Sequence, residues 1–308
     1  KVGVAFVTSG PGFTNAITGL ATAYADSIPL VLISGQVGLP LIGTDAFQEI
    51  DAVGISRPCV KHNFLVKSIE ELPLILKQAF YIARSGRPGP VHVDIPKDVT
   101  AAVGDFIYPS EIKMQTYKPN IKGHPNQIKK ACEAILSSKK PIAYIGGGAV
   151  SSGASDEIRK FIQTTQIPAV ETLMALGVLT SVNPLNLAMV GMHGSYAANM
   201  ALSEADLIIC LGARFDDRVT GKLSEFAKNA KIIHIDIDPS SIGKIVSVDY
   251  PIVGDLKNVM IEINDRLEIS GDPFATWREQ IEIYKKLHPL SYKDSDEVLK
   301  PQWVIEKM

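Results

Sequence analysis

The sequence has few of the residues that mark several common classes of protein. Its 308 residues include only three cysteines, 7% aromatic residues and a net charge of −2. An odd cysteine count without a CxxC pair argues against a disulfide framework and a cysteine zinc site, so we expect reduced thiols. The balanced charge provides no broad positive field, so neither nucleic acid nor an acidic membrane is an expected partner.

An apolar run long enough to cross a membrane is also lacking. The longest apolar stretch, residues 16–37, is interrupted by Asp26 and Pro29, whereas a spanning helix needs about 20 predominantly apolar residues. No basic segment and cleavage site precede an apolar run near the start, which argues against a secretory signal. A hydrophobic fraction of 46% and a charged fraction of 21% are typical of globular domains. We therefore expect a folded, cytoplasmic protein.

Strands and helices alternate along most of the sequence. Short runs of branched apolar residues bounded by Pro or Gly predict strands, and apolar residues at helical spacing predict helices. The strands are predicted at residues 2–7, 29–34, 91–96, 141–145, 168–172, 206–211, 231–235 and 251–253. This alternation predicts two consecutive three-layer α/β/α units with mainly parallel sheets.

Both ends of the sequence have the pattern of interrupted elements. Residues 2–7 form a strand of the type that is usually buried on both faces, and residues 302–308 resemble the first turns of a helix. We therefore expect the first unit to be truncated and the chain to be part of a longer polypeptide. Two frayed termini are the alternative.

Three consecutive glycines follow the predicted strand at residues 141–145. Gly146, Gly147 and Gly148 would let a phosphate approach backbone N–H groups without a Cβ in the way. The dinucleotide fingerprint G-x-G-x-x-G is incomplete, because position 151 is serine, and Gln166 stands near the place of its acidic partner. An NAD site is therefore disfavoured, and a plain tight turn is the default interpretation.

Charged residues follow two further predicted strands of the second unit. Arg214 and Arg218 suit a diphosphate, because guanidinium groups pair with phosphate oxygens; local Arg–Asp pairing is the alternative. We expect Asp236 to contact a ligand hydroxyl at the end of its strand. We expect Asp238 to cap a short helix that begins at Pro239.

The first unit has one loop dense in hydrogen-bonding side chains, at residues 43–49. Asp45 or Glu49 could act there as a general acid, although most such carboxylates are solvated or cap a turn. Lys97 follows a predicted strand, at an edge where α/β sheets bind ligands. In the second unit, His193 on its own is more often structural than functional. No metal-ligand spacing, phosphate loop or catalytic triad order is visible.

Taken together, the motifs resemble one family over nearly all 308 positions. They are TSGPG at 8–12, GQV at 35–37, IGTDAFQE at 42–49, SGRPGPV at 85–91, DIPKDV at 94–99, GARFDDRVTGK at 212–222 and HIDIDP at 234–239. The family is the catalytic large subunit of acetolactate synthase (acetohydroxyacid synthase). The eleven-residue motif at 212–222 is the most specific of the set.

The resemblance implies an organisation into domains. Residues 1–105 would be the C-terminal part of a thiamine-diphosphate pyrimidine-binding domain, and residues 106–125 a linker. Residues 126–267 would form a central Rossmann-like domain that holds FAD. Residues 268–308 would be a connector and the start of the diphosphate-binding domain.

The resemblance also implies an activity in branched-chain amino-acid biosynthesis. A thiamine-diphosphate and Mg²⁺ enzyme would join two pyruvates to acetolactate, or pyruvate and 2-oxobutyrate to acetohydroxybutyrate. FAD would be structural, and the partners would be a second catalytic subunit, in a homodimer, and a small regulatory subunit. The alternatives are a non-catalytic flavin or nucleotide module, or a related enzyme such as glyoxylate carboligase.

The resemblance assigns site residues position by position. Phe47 and Gln48 would face the thiazolium and substrate, and Lys97 would line the channel to the active site. The contacts to FAD would come from Arg87, Gly146, Gly147, Gly148, Thr172, Leu173, His193, Gly194, Gly212, Ala213, Arg214, Asp216, Arg218, Asp236, Ile237 and Asp255.

The sequence also departs from the family pattern. The family's catalytic Glu and its GDG…N motif for Mg²⁺ and diphosphate are not among these residues, so we expect the 308 residues alone to be inactive. Gly38 stands where many relatives have Pro after GQV, so sensitivity to inhibitors at that loop is not implied.

Overall fold

The chain divides into two structural units. The computed structural model describes residues 1–308, and the units are Lys1–Pro119 and Asn120–Met308. The division falls inside the segment 106–125, for which the sequence predicts a linker. No helix is both long and apolar enough to cross a membrane.

The first unit is built on a parallel sheet of four strands in the order β1-β2-β4-β3. The strands are β1 (Gly3–Val7), β2 (Leu30–Gln36), β3 (His62–Leu65) and β4 (Pro90–Pro96). The helices are α1 (Pro11–Ala25), α2 (Ala52–Ser56), α3 (Leu72–Arg84) and α4 (Lys97–Ala101). Every pairing is parallel, so the carboxyl ends of all four strands lie at one edge.

Alternating side chains of β2 and β4 face two separate cores. Val31 and Val93 pack with α3 on one face, and Leu32 packs with Phe13 of α1 on the other. Burial on both faces explains why the apolar run at residues 29–34 predicts a strand. The first unit is therefore a three-layer α/β/α structure, as the sequence predicts.

The second unit contains a six-stranded sheet in the order β10-β9-β8-β5-β6-β7. The strands are β5 (Pro141–Ile145), β6 (Ala169–Glu171), β7 (Asn186–Met189), β8 (Leu207–Leu211), β9 (Lys231–Asp236) and β10 (Tyr250–Val253). All pairings are parallel. The chain starts in the middle at β5, runs outward to β7, and returns beside β5 to run outward the other way. The strand order therefore reverses between β5 and β8.

Helices cover both faces of this sheet. They are α5 (Pro125–Ser137), α6 (Gly147–Ser151), α7 (Ser155–Thr165), α8 (Tyr196–Glu204), α9 (Asp217–Thr220), α10 (Leu256–Arg266), α11 (Ala275–Leu287) and α12 (Pro301–Lys307). Helices α5, α7 and α10 share one core, and α8 and α11 share the other. Trp277 of α11 is buried and donates from its indole nitrogen to the Pro141 carbonyl, at 3.1 Å, so α11 is packed into this unit.

The elements differ from the sequence prediction in several places. The short strands β3 and β7 are not predicted. Gly147 and Gly148 open helix α6 instead of forming a plain loop. The predicted helix at Pro239 is wrong, because residues 239–243 form turns there.

Candidate functional site at the carboxyl edge of the second sheet

Six loops of the second unit leave the same edge of its sheet. Because all strands are parallel, the residues that follow β5 to β10 meet at their carboxyl ends. Ligands of open α/β sheets bind at such edges, in the crevice where the strand order reverses. The structure brings to this edge Gly146, Gly147, Gly148, Thr172, Leu173, His193, Gly194, Gly212, Ala213, Arg214, Asp216, Arg218, Asp236, Ile237 and Asp255.

The glycine loop after β5 packs directly against the loop after β8. Gly148 N–H donates to the Gly212 carbonyl at 3.0 Å. A Cβ added at Gly148 would lie 2.8 Å from Gly212 Cα, and one at Gly146 would overlap the Gly212 carbonyl oxygen. Contact between the two loops therefore requires glycine at positions 146 and 148, a packing reason that the sequence does not show.

Buried side chains support the loop after β8 from beneath. The Tyr144 hydroxyl donates to the Arg214 carbonyl at 2.9 Å. The Ala213 carbonyl lies 3.0 Å from His234 Nε2 and accepts from Cys210 Sγ at 3.3 Å. These contacts fix two consecutive peptide groups where the two central strands end, and an ordered backbone there is a precondition for holding a ligand.

Burial keeps these three supporting side chains uncharged. It raises the pKa of the Tyr144 hydroxyl and of the Cys210 thiol, and it lowers the pKa of His234. Neutral His234 therefore donates from Nε2–H, which leaves Nδ1 as its acceptor; Nδ1 is buried without a hydrogen-bond partner.

The surface beside this supported loop combines apolar side chains with an arginine. Leu173, Met174 and Met192 follow β6 and β7 and are 69%, 59% and 63% exposed. Arg214 and His193 are also exposed at this edge. Exposed apolar side chains and a guanidinium on the same sheet edge suit a ligand that has a flat apolar part and an anionic group.

The acidic residues at this edge mostly bind backbone N–H groups. Asp236 Oδ1 accepts from Asp238 N at 2.8 Å, and Asp238 Oδ1 accepts from Ser240 N at 2.9 Å. Asp238 therefore stabilises a turn and does not cap a helix. Asp255 caps α10 by accepting from Asn258 N at 3.1 Å.

Two more predicted contact residues have local structural partners. Asp216 caps α9 by accepting from Arg218 N at 3.0 Å. The Arg218 guanidinium lies 3.9 Å from Asp217, and both side chains are largely exposed. Exposed pairs of this kind contribute little to stability.

Gly194, another predicted contact residue, lies in a tight turn after β7. A Cβ at Gly194 would lie 2.5 Å from the Met189 carbonyl, so only glycine fits this turn.

The first unit presents its predicted catalytic residues at its own carboxyl edge. Phe47 is 88% exposed, in the loop between β2 and α2. Gln48 has a left-handed backbone, with φ of 61°, and a Cβ at Gly10 would lie 2.6 Å from its carbonyl oxygen. Lys97 is exposed at the start of α4, directly after β4.

Arg87 lies away from that edge. It precedes β4, and its Nε donates to the Ser27 hydroxyl at 2.8 Å. Its Nη2 donates to the Ala25 carbonyl at 3.3 Å. Within its own unit, Arg87 therefore holds the end of α1.

The two carboxylates considered as general acids, Asp45 and Glu49, have different environments. Glu49 accepts hydrogen bonds from Gly43 N and, at 3.3 Å, from Ala46 N. Glu49 therefore binds backbone N–H groups of its own loop, which agrees with the interpretation that it caps a turn. Asp45 is exposed and has a left-handed backbone, with φ of 58°.

A buried polar cluster beneath this loop was missed by sequence reasoning. Ser34, Gln36, His92 and Asp94 are all at least nine-tenths buried, on adjacent strands β2 and β4. The sequence signal is a polar residue at every second position of strands that are otherwise apolar. Burial raises the pKa of Asp94 to about 6 and lowers that of His92 to about 4.

Comparison with known proteins identifies relatives over the whole chain. Residues 128–263 match the family model "Thiamine pyrophosphate enzyme, central domain", and residues 1–55 match "Thiamine pyrophosphate enzyme, N-terminal TPP binding domain". The chain is 49% identical to an acetolactate synthase large subunit of Buchnera aphidicola, with 100% of this chain and 55% of the relative aligned. It is 48% identical to the isozyme 3 large subunit of Escherichia coli, with the same coverage.

A mycobacterial relative gives the same result. The acetolactate synthase of Mycobacterium leprae is 50% identical, over 100% of this chain and 50% of the relative. The chain therefore spans about half the length of the curated relatives it matches.

Proposed function

This chain belongs to the thiamine pyrophosphate enzymes as a homologue of acetolactate synthase large subunits, and we propose that the whole protein joins two 2-oxo acids. Pyruvate would be the donor, and either pyruvate or 2-oxobutyrate the acceptor, giving acetolactate or acetohydroxybutyrate for branched-chain amino-acid biosynthesis. The proposal rests on sequence identity: about half of the residues of this chain, over its whole length, are identical to those of acetolactate synthase large subunits.

The first unit would contribute to the thiamine diphosphate site. That cofactor, with Mg²⁺, supplies a carbon nucleophile and an electron sink for decarboxylation. Phe47 and Gln48 would orient the substrate from the carboxyl edge. Lys97 would attract its carboxylate from the neighbouring strand end, because an ammonium is a strong partner for an anion. Exclusion of water would be a further role for the exposed Phe47 ring.

The second unit would hold FAD at its carboxyl edge. The surface there fits the cofactor, because exposed Leu173, Met174 and Met192 offer an apolar area and Arg214 offers a cation for the diphosphate. The contact between the loops of Gly146–148 and Gly212 would keep the ends of β5 and β8 at a fixed spacing. The flavin would be structural, without net oxidation or reduction.

The partners belong to the whole protein. We propose a homodimer of catalytic subunits, a small regulatory subunit and a cytoplasmic location. We also propose that the 308 residues alone are inactive, because they span about half the length of the relatives.

Two measurements test this function. The whole protein, incubated with pyruvate, thiamine diphosphate, Mg²⁺ and FAD, should give acetoin after acidification in a colour assay, and the 308-residue chain should give none. The purified chain should bind FAD, measured by flavin fluorescence. Flavin binding by a whole protein without carboligation would favour a non-catalytic flavin module, and turnover of glyoxylate in preference to pyruvate would favour a glyoxylate carboligase.

A further inference from the structure

The buried polar cluster of the first unit forms a directional chain of hydrogen bonds. Ser34 Oγ donates to Asp94 Oδ1 at 2.5 Å, and the same oxygen lies 2.7 Å from His92 Nε2. Burial lowers the pKa of His92 and keeps its ring neutral. Because the one hydroxyl hydrogen of Ser34 goes to Asp94, Ser34 accepts from His92 Nε2–H. Ser56 Oγ lies 3.0 Å from His92 Nδ1 and also 3.2 Å from the Val53 carbonyl.

Gln36 connects this chain to the loop above it. Its Nε2 donates to Asp94 Oδ2 at 3.0 Å and to the Ile50 carbonyl at 2.9 Å. Its Oε1 accepts from Val37 N at 2.9 Å. These partners leave one orientation for the Gln36 amide, because the reverse orientation would point an oxygen at the Asp94 carboxylate and at a carbonyl.

The loop that Gln36 holds has a strained backbone. Asp45 and Gln48 have φ values of 58° and 61°, a region that costs free energy for residues other than glycine. Such a conformation persists only when neighbouring contacts enforce it. Here those contacts are the Glu49 bonds to Gly43 and Ala46, the fit of Gly10 against the Gln48 backbone, and the Gln36 bond to Ile50.

We propose that Gln36 and Asp94 are positioning residues that hold the 46–50 loop and thereby aim Gln48. Asp94 orients the Gln36 amide, and Gln36 anchors the Ile50 carbonyl two residues beyond Gln48. Neither residue needs to touch substrate, because both are buried beneath the loop. The part of this inference that concerns catalysis rests on the proposed function; the part that concerns loop rigidity does not.

Proteolysis of the 308-residue chain tests the rigidity directly. Phe47 is an exposed chymotrypsin site within the loop, and cleavage there requires the loop to open locally. Gln36→Leu removes both donors at similar volume, and we expect cleavage after Phe47 to accelerate about tenfold or more. Asp94→Asn can retain one acceptor toward Gln36, so its acceleration should be smaller but still measurable.

Val93→Ala is the matched control. Val93 is fully buried on the same strand, but its side chain packs in the core on the opposite face of the sheet. It destabilises the first unit without touching Gln36 or Asp94. Equal acceleration by Val93→Ala, at matched thermal stability, would overturn the proposal, as would unchanged cleavage in Gln36→Leu.

A second readout uses the whole protein. Gln36→Leu should lower kcat about tenfold or more with its FAD content unchanged, whereas a merely destabilising change should lower the amount of folded enzyme at constant kcat. A wild-type kcat in Gln36→Leu would overturn the proposal. A wild-type enzyme without carboligation would instead refute the proposed function, and the proteolysis result would still decide whether Gln36 holds the loop.

Discussion

The hydroxyl of Tyr144, in the middle of the second sheet, donates a 2.9 Å hydrogen bond to the backbone carbonyl of Arg214 at its carboxyl edge. Tyr144 is fully buried, and Arg214 has an exposed side chain. The core therefore fixes the backbone of a residue that lies on the proposed FAD surface. If FAD binds there, this one contact would link the stability of the second unit to cofactor binding.

Replacing Tyr144 with Phe should expose that link. The ring is retained, but the Arg214 carbonyl loses its buried donor, which costs about 1–3 kcal/mol. We expect a lower midpoint in urea unfolding followed by tryptophan fluorescence, and weaker FAD binding in a flavin fluorescence titration. Tyr196→Phe, at a ring that is 38% exposed, is the control. Unchanged stability and affinity in Tyr144→Phe would show that the contact is unimportant.

Replacing Arg214 with Ala should weaken FAD binding without loss of stability. The exposed guanidinium would make charge-assisted bonds to the diphosphate, so its loss should raise the dissociation constant about tenfold or more. Arg266→Ala is the matched control, because Arg266 lies in the last turn of α10, away from the carboxyl edge, in a surface pair with Glu262. Equal effects of the two variants on affinity would argue against a diphosphate site at Arg214.

Two glycine-to-alanine variants should change stability in opposite directions. Gly146→Ala would force a Cβ into the Gly212 loop and should destabilise the second unit by about 1–3 kcal/mol or more. Gly19→Ala places a Cβ in open space within helix α1 and should stabilise by about 0.5–1 kcal/mol. Thermal unfolding followed by circular dichroism measures both, and a neutral Gly146→Ala would contradict the loop contact.

The pH dependence of stability should change when Asp94 is replaced by Asn. The pKa of His92, about 4 when folded and 6.5 ordinarily, makes the chain more stable as pH rises from 4 to 6.5. The pKa of Asp94, about 6 when folded and 3.8 ordinarily, makes it less stable as pH rises from 4 to 6. These contributions oppose each other in the wild type. Without Asp94, the free energy of unfolding should rise more steeply with pH across this range. The variant should gain up to about 3 kcal/mol more than the wild type between pH 4 and 6.

Urea unfolding at pH 4, 5 and 6.5, followed by circular dichroism, measures this difference. His92 remains in the Asp94→Asn variant, so its rising contribution is retained. Parallel pH profiles for wild type and variant would show that the Asp94 pKa is not raised in the folded chain.

The sequence predicted the α/β/α layers and the carboxyl edge where the candidate site lies. It did not predict the contacts between residues that are distant in the sequence. Residues 141–145 and 206–211 are nearly uninterrupted apolar runs, which predict strands buried on both faces, and parallel strands place their following loops together. The four-residue strands β3 and β7 contain Asn63 and Asn186 and have too little apolar pattern to predict.

Long-range packing explains the other differences. Gly146 needs its small size because of Gly212, 66 positions away, and Ser34 bonds to Asp94, 60 positions away. No local pattern identifies such partners. Asp238 and Pro239 carry a helix-start signal, but the Asp238 carboxylate bonds Ser240 in a turn instead. The assigned roles of Gln48, Lys97 and Arg87 stay predictions.

Hydrogen–deuterium exchange of the 308-residue chain, with and without saturating FAD, tests the proposed flavin site most directly. We predict slower exchange with FAD in the peptides that cover residues 146–148, 172–174, 192–194 and 212–218, and unchanged exchange at the amino ends of the same strands. Protection confined to other parts of the chain, or FAD that does not bind at all, would contradict the assignment of this edge.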